Sequence, residues 1–293
     1  MCVQHDESDL LIEIEGFIQK ILRVDRQPRC FYQEFTDLLI AFDQVYNPDY
    51  VYSSLIEMFC NLLYDYEYVL NDHNRLCSQL KELMFREWQT YFEQAHDQYI
   101  KERCDHRYSE KLNAEKLDDR LSELLDDYSS LLVVRVDLNY RRSVSIDQVE
   151  SDLSVFRRKL DKLNMVYDRL LFIWALEQGC VQGGYHCHIA LVFDGRKRSG
   201  AWSIAKCVGE LWQEITDNRG NYFNCHDRRY LEQYERKGTT GIGMIYSRFE
   251  PQVRNMRHVM GYLAQPEKEQ YLRVKVSSKM RTFGMSQRLS KIT

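Results

Sequence analysis

Two histidines one residue apart, His186 and His188, are the side chains in this sequence best placed to do chemistry. They open an apolar run, Ile189 to Phe193, that ends in Asp194-Gly195, the pattern of a buried strand entering a turn. Residues i and i+2 of a strand face the same side about 6.5 Å apart, so two imidazoles can grip one divalent metal there. A hard cation also needs an oxygen ligand and open positions for substrate oxygens. Glu177, which precedes the histidines by one turn, is the first candidate, against a competing reading as a strand-end carboxylate facing water. Asp137 is the reserve ligand. Cys187, between the histidines, points to the opposite face and reads as a small apolar residue. A metal that polarises a phosphodiester needs a nucleophile, and Tyr262 is the candidate, with a packed core tyrosine as its commoner fate. Arg254, Arg257 and His258 precede it and could hold phosphates.

These residues need elements to hold them. Leu131 to Tyr140 alternates apolar Val134, Val136 and Leu138 with polar Arg135, Asp137 and Asn139, which predicts a strand with one polar face. Ser145 and Gln148 fit a capping box that opens a helix with Val149, Leu153, Phe156, Leu160 and Leu163 as its buried stripe. Leu170 to Glu177 reads as a strand, and the glycine-rich Gln178 to Gly184 turns it back into the histidine strand. A helix over about 201–216 follows, with Trp202, Ala205, Leu211, Trp212 and Ile215 on its core side. Asn221–His226 and Gly241–Tyr246 predict short strands, and Pro251 opens a helix to about Gln265 that carries Tyr262.

The first part of the chain is different. Apolar residues at helical spacing predict helices from Leu10, over Phe31–Tyr46 and from Tyr52 to about Asn71. Leu76, Leu80, Leu83, Met84, Trp88, Tyr91, Ala95 and Tyr99 mark one face of a long helix, and Leu117, Leu121, Leu124 and Tyr128 mark another. His5, His73, His96 and His106 have no metal-like spacing and read as surface residues. The reading is α+β, with an acidic helical domain over 1–129 and a basic antiparallel-sheet domain over 130–293.

Charge sharpens the division. Residues 1–130 hold 13 Lys+Arg and 27 Asp+Glu, a balance of −14, and residues 131–293 hold 27 and 17, a balance of +10, within a net −4. The basic part suits a polyanion. Arg141 and Arg142, Arg196, Lys197 and Arg198, Arg228 and Arg229, and Arg281 are candidate phosphate contacts. Tyr140, Tyr222, Phe223, Tyr230 and Tyr234 lie among them, as suits a single-stranded path where aromatics stack on bases. No run of about 18 apolar residues spans a membrane. The acidic start lacks a signal-peptide pattern, and nine scattered cysteines read as reduced thiols of a cytoplasmic protein.

Four stretches in order resemble a known family: Arg-Val-Asp-Leu-Asn-Tyr140, Gly-Tyr-His-Cys-His-Ile-Ala-Leu-Val-Phe-Asp-Gly195, Gly-Tyr-Leu-Ala-Gln265 and Arg-Thr-Phe-Gly-Met-Ser286. They are similar to the HUH endonucleases, the rolling-circle initiators and relaxases. More closely they resemble the filamentous-phage gene-two-protein-like family, also named for its YagK/YfjJ C-terminal domain and found in prophages. The resemblance covers about residues 130–290. It implies an RRM-like sheet on which His186, His188 and an acid hold Mg²⁺ or Mn²⁺. It further implies that Tyr262 attacks single-stranded DNA, at a replication origin, leaving a 5′-phosphotyrosine and a free 3′-hydroxyl. The family's tyrosine motif carries a lysine one turn on, and here that slot is Gln265, without the charge. Two other readings stay open: a DNA-binding protein of the same fold without turnover, and a metal-dependent RNA-processing enzyme. The helical domain then serves for self-association or for docking a protein partner.

Overall fold

Apolar residues at helical spacing build six helices before the first long strand. Helix α1 (Glu7–Arg23) is capped by Asp6, whose carboxylate accepts from the Ser8 N–H at 2.9 Å. Helix α2 (Phe31–Asp43) stops three residues short of the expected Tyr46. Strand β1 (Val51–Tyr52) takes Tyr52 out of the predicted third helix, which is α3 (Ser54–Asp65) followed by a single 3₁₀ turn. The long helix expected over 76–99 is instead α4 (His73–Leu80), α5 (Phe85–Glu93) and the start of α6 (His96–Asp127). Local hydrogen bonding makes the break: Glu87 reaches back to the Met84 N–H at 2.7 Å, and Trp88 Nε1 donates to the Leu80 carbonyl at 2.9 Å. Leu83 and Met84 sit in that break and are exposed rather than buried.

The computed structural model describes residues 6–179, 184–265 and 270–287. His5, the middle of the Gln178–Gly184 turn, Pro266 and Lys268 lie outside them. After α6 come β2 (Ser130–Tyr140), α7 (Ile146–Leu160), β3 (Leu171–Gln178), β4 (Tyr185–Asp194) and α8 (Ala201–Ile215). Then follow β5 (Gly220–Asn224), α9 (Arg228–Glu235), β6 (Gly243–Tyr246), α10 (Glu250–Ala264), β7 (Val274–Lys275) and β8 (Phe283–Met285). Two sequence expectations fail locally. Ser145 forms no capping bond; the Ile146 N–H donates instead to Glu7 at 2.9 Å, and Gln148 turns to Asp152. Trp202, at the open first turn of α8, is 49% exposed rather than in the core.

The fold is α+β, with ten α-helices and a six-stranded antiparallel sheet among the described residues. The sheet order is β5-β2-β4-β3-β8, and β6 pairs with the first residues of β2. Strand β4 is flanked on both edges, which explains its unbroken apolar run. One sheet face, with Leu132, Val134, Leu191 and Phe193, joins α7, α8 and the residues of α1 to α5 in one apolar cluster. The other face, with Leu131, Val133, Ile173 and Val192, packs on Leu117 and Leu121 of α6 and on Met256 and Met260 of α10. Strand β1 pairs antiparallel with β7, so the helical part and the end of the chain share a small sheet. No helix among the described residues is long and apolar enough to cross a membrane.

Candidate metal centre

Alternation along β2, β3 and β4 decides which polar residues meet. Antiparallel register pairs His186 with both Asn139 and Glu177, and His188 with both Asp137 and Ala175. Directly paired residues project from one face, so the histidines and both candidate carboxylates stand together on the face that α6 and α10 cover only in part. Cys187 faces the opposite apolar cluster, as its position between them requires.

Glu177, His186 and His188 each offer a ligand atom, and the three lie within 4.8 Å of one another. Glu177 Oε2 stands 3.4 Å from His186 Nε2 and 3.3 Å from His188 Nε2. Both Glu177 oxygens and His186 Nδ1 are buried with no hydrogen-bond partner among the described residues. The two imidazoles are the near neighbours of Glu177, and the carboxylate with the two ring nitrogens forms a donor set that fits a divalent cation. Burial raises the Glu177 carboxyl, but the two imidazoles outweigh it and hold the group at about 2.

Asp137 takes a place other than the reserve-ligand position. Its Oδ1 accepts from His188 Nδ1 at 2.7 Å, on the far side of the ring from Glu177. An ionised carboxylate can only accept, so Nδ1 carries a hydrogen, and Nε2, which faces Glu177, is the nitrogen that would ligate a metal once it gives up its own proton. Arg135 donates to both Asp137 oxygens, at 3.0 and 3.2 Å. Burial pulls the His188 imidazole down, and Asp137 and Glu177 outweigh it and push it up to about 9. Burial alone holds His226 down at about 4, and its Nε2 accepts the Arg135 backbone N–H at 3.0 Å. The supporting roles of Arg135 and His226 escaped sequence reasoning; the Arg-x-Asp alternation on a polar strand face was the available signal.

Helix α10 lies on the same sheet face, with Pro251 in its first turn. Tyr262 is half-buried near its end, and the adjoining Leu263 and Ala264 line a small cavity with Glu177. Gln265 is the exposed C-cap residue, with φ −143° and ψ 80°, so the slot expected for a lysine falls where the helix stops. Tyr271, the other tyrosine near this end of the chain, is buried and donates its hydroxyl to Glu15, and burial pushes that phenol far above its usual range.

The basic candidates are not gathered at one place. Arg141 and Arg142 are exposed where β2 leaves the sheet, with Arg141 two residues past Asn139, the register partner of His186. Arg228 and Arg229 are exposed at the start of α9, and Arg281 is exposed beside Phe283 of β8. Arg254 is exposed on α10, whereas Arg257 is engaged by Asp118 and Ser122 of α6. Arg196, Lys197 and Arg198 follow the other end of β4, about 25 Å from His186 by strand rise. Arg198 is held there by both oxygens of Asp168. No family model, curated protein or solved structure matches this chain.

Proposed function

We propose that the chain is a metal-dependent endonuclease and strand transferase for single-stranded DNA, a rolling-circle-type initiator of a prophage or related element acting in the cytoplasm. In this reading residues 130–293 are an RRM-like HUH domain of the filamentous-phage gene-two-protein-like, YagK/YfjJ type. The supporting observation is the convergence of two imidazole nitrogens and a buried carboxylate on one sheet face, the face on which the tyrosine-bearing helix α10 also packs. His186, His188 and Glu177 would hold Mg²⁺ or Mn²⁺, which when bound supplies Lewis-acid polarisation of the scissile phosphate. Asp137 fixes the His188 tautomer and ring. The Tyr262 hydroxyl attacks phosphorus and gives up its proton; the bond to the 3′-oxygen breaks, and that oxygen leaves as a hydroxyl. The products are a 5′-phosphotyrosine and a 3′ end that can prime synthesis. Attack of a 3′-hydroxyl on the phosphotyrosine reverses the step and reseals the strand.

A second reading, a DNA-binding protein of this fold without turnover, draws on Gln265, which brings neither a charge nor a helical position to the lysine slot. One assay separates the two. The protein is incubated with Mn²⁺ and a broad pool of origin-like single strands, and a covalent adduct that resists denaturant is sought. The nuclease reading expects an adduct that Tyr262→Phe abolishes. An adduct that survives Tyr262→Phe removes this nucleophile, and its absence with every strand leaves the binding reading.

A further inference from the structure

Phe223 has no part in the metal chemistry, yet it stands in the same row. It lies on β5, an edge strand, and is 42% exposed. Its register partner is Asp137, whose partner on the other side is His188. The three side chains therefore share a face, and two strand spacings put the Phe223 backbone about 10 Å from that of His188. The adjacent Tyr222 points the other way and packs against the main core, so the strand had an inward slot and left Phe223 outside it.

The ring is exposed but held. Tyr230 of α9 meets it edge-on, with centroids 4.9 Å apart and planes at 78°. Tyr230 is backed by Tyr234 at 5.1 Å, and the Tyr234 hydroxyl donates to that of Tyr230 at 3.1 Å. A buttressed, solvent-facing aromatic loses little freedom when something stacks on it. Guanidinium groups lie on the flanking segments: Arg141 reaches across to Asn221 on the same strand, and Arg228, which also pairs with Glu232, and Arg229 are exposed where α9 begins. A flat apolar ring with guanidinium groups on the adjoining segments matches a nucleobase with its phosphates.

We propose that Phe223 is a stacking platform for an unpaired DNA base next to the phosphate at the metal cluster. The inference rests on the single-stranded DNA reading and adds where a base is held. Stacking is sequence-tolerant, so the platform sets the position of the strand rather than its sequence.

The test uses the full chain, a fluorescent dT oligonucleotide, Mn²⁺ and anisotropy titrations over a range of salt. Phe223→Ala is expected to raise Kd by about tenfold or more, and Phe223→Trp to restore it. The slope of log K against log salt stays unchanged in Phe223→Ala, because no phosphate contact is lost, and becomes shallower in the double variant Arg228→Glu, Arg229→Glu. Mn²⁺ affinity by calorimetry stays at the wild-type value in Phe223→Ala. A Kd within about twofold of wild type for Phe223→Ala, a loss of Mn²⁺ affinity in it, or a wild-type chain that does not bind dT overturns the inference. If no covalent adduct forms but Phe223→Ala still weakens binding, the platform stands and the nicking step falls.

Discussion

His188 meets carboxylates at both ring nitrogens, and the two do different work. Glu177 faces Nε2 inside the candidate ligand triangle, while Asp137 accepts the Nδ1 hydrogen bond and is itself held by Arg135. Removing such an outer partner frees the ring to rotate and lowers its basicity, at a typical cost of about 10- to 100-fold in metal affinity. Asp137→Ala is therefore expected to weaken Mn²⁺ binding by about that factor in a calorimetric titration, with Glu177→Ala weakening it more. Equal affinity in Asp137→Ala and wild type removes the positioning role. Gly179 adds a constraint of its own, since a Cβ there would lie 2.5 Å from His186 Cε1; the residue closing β3 must be small for the ring to stand upright. The types of these residues were legible in the sequence, and so was the shared face of His186 and His188. The hairpin position put Glu177 ahead of Asp137 as a candidate ligand, but the Asp137 bond to His188 Nδ1 was not legible, because it depends on the register of β2 against β4, and residue spacing does not determine it.

At the scale of elements, the sheet was readable because each strand carries its own period. The alternation of β2 marks a face whose polar residues turn into the candidate site, and the apolar run of β4 marks a strand covered on both faces. The helices were harder. A continuous stripe from Leu76 to Tyr99 fits one helix, and only the pairing of Glu87 with the Met84 N–H shows that it is broken. Least legible are ties between distant elements. Glu15 of α1 and Arg273 before β7 are each 4% exposed and meet at 2.7 Å, although 258 residues separate them. Glu15 also accepts from the Tyr271 hydroxyl, and the Arg273 N–H donates to Gln178, next to the candidate ligand Glu177. Truncating one partner leaves the other charge buried and alone, which costs about 3–5 kcal/mol. Glu15→Ala should lower the urea-unfolding free energy by that amount, and the paired change Glu15→Leu with Arg273→Met should recover much of it. Equal losses in the single and paired variants would show that the ion pair itself, rather than the stranded charge, carries the stability.

For the whole molecule, the charge split is real in the sequence, but the two parts share one apolar cluster and a two-strand sheet. Where they meet, Glu7 of the acidic part is 7% exposed and accepts from the Tyr185 hydroxyl of β4 at 2.8 Å and from the Ile146 N–H of α7 at 2.9 Å. Burial raises its carboxyl, nearby Asp147 and Asp6 add to the rise, and the two hydrogen bonds oppose it, leaving the group at about 7 against an ordinary 4.5. Between those values the folded chain binds a proton that the unfolded chain has released, so folding is favoured by acid in that window. The contribution is fully present below pH 4.5 and is lost as pH rises through about 7. At 1.36 kcal/mol per pKa unit the difference is about 3 kcal/mol. Glu7→Gln keeps an acceptor without the titration, so the stability of wild type relative to this variant should fall by about 2 kcal/mol between pH 5 and 7.5 in urea unfolding. A difference that does not change across that range means that Glu7 is ionised throughout, and the junction of α1, α7 and β4 then holds a charge rather than a proton.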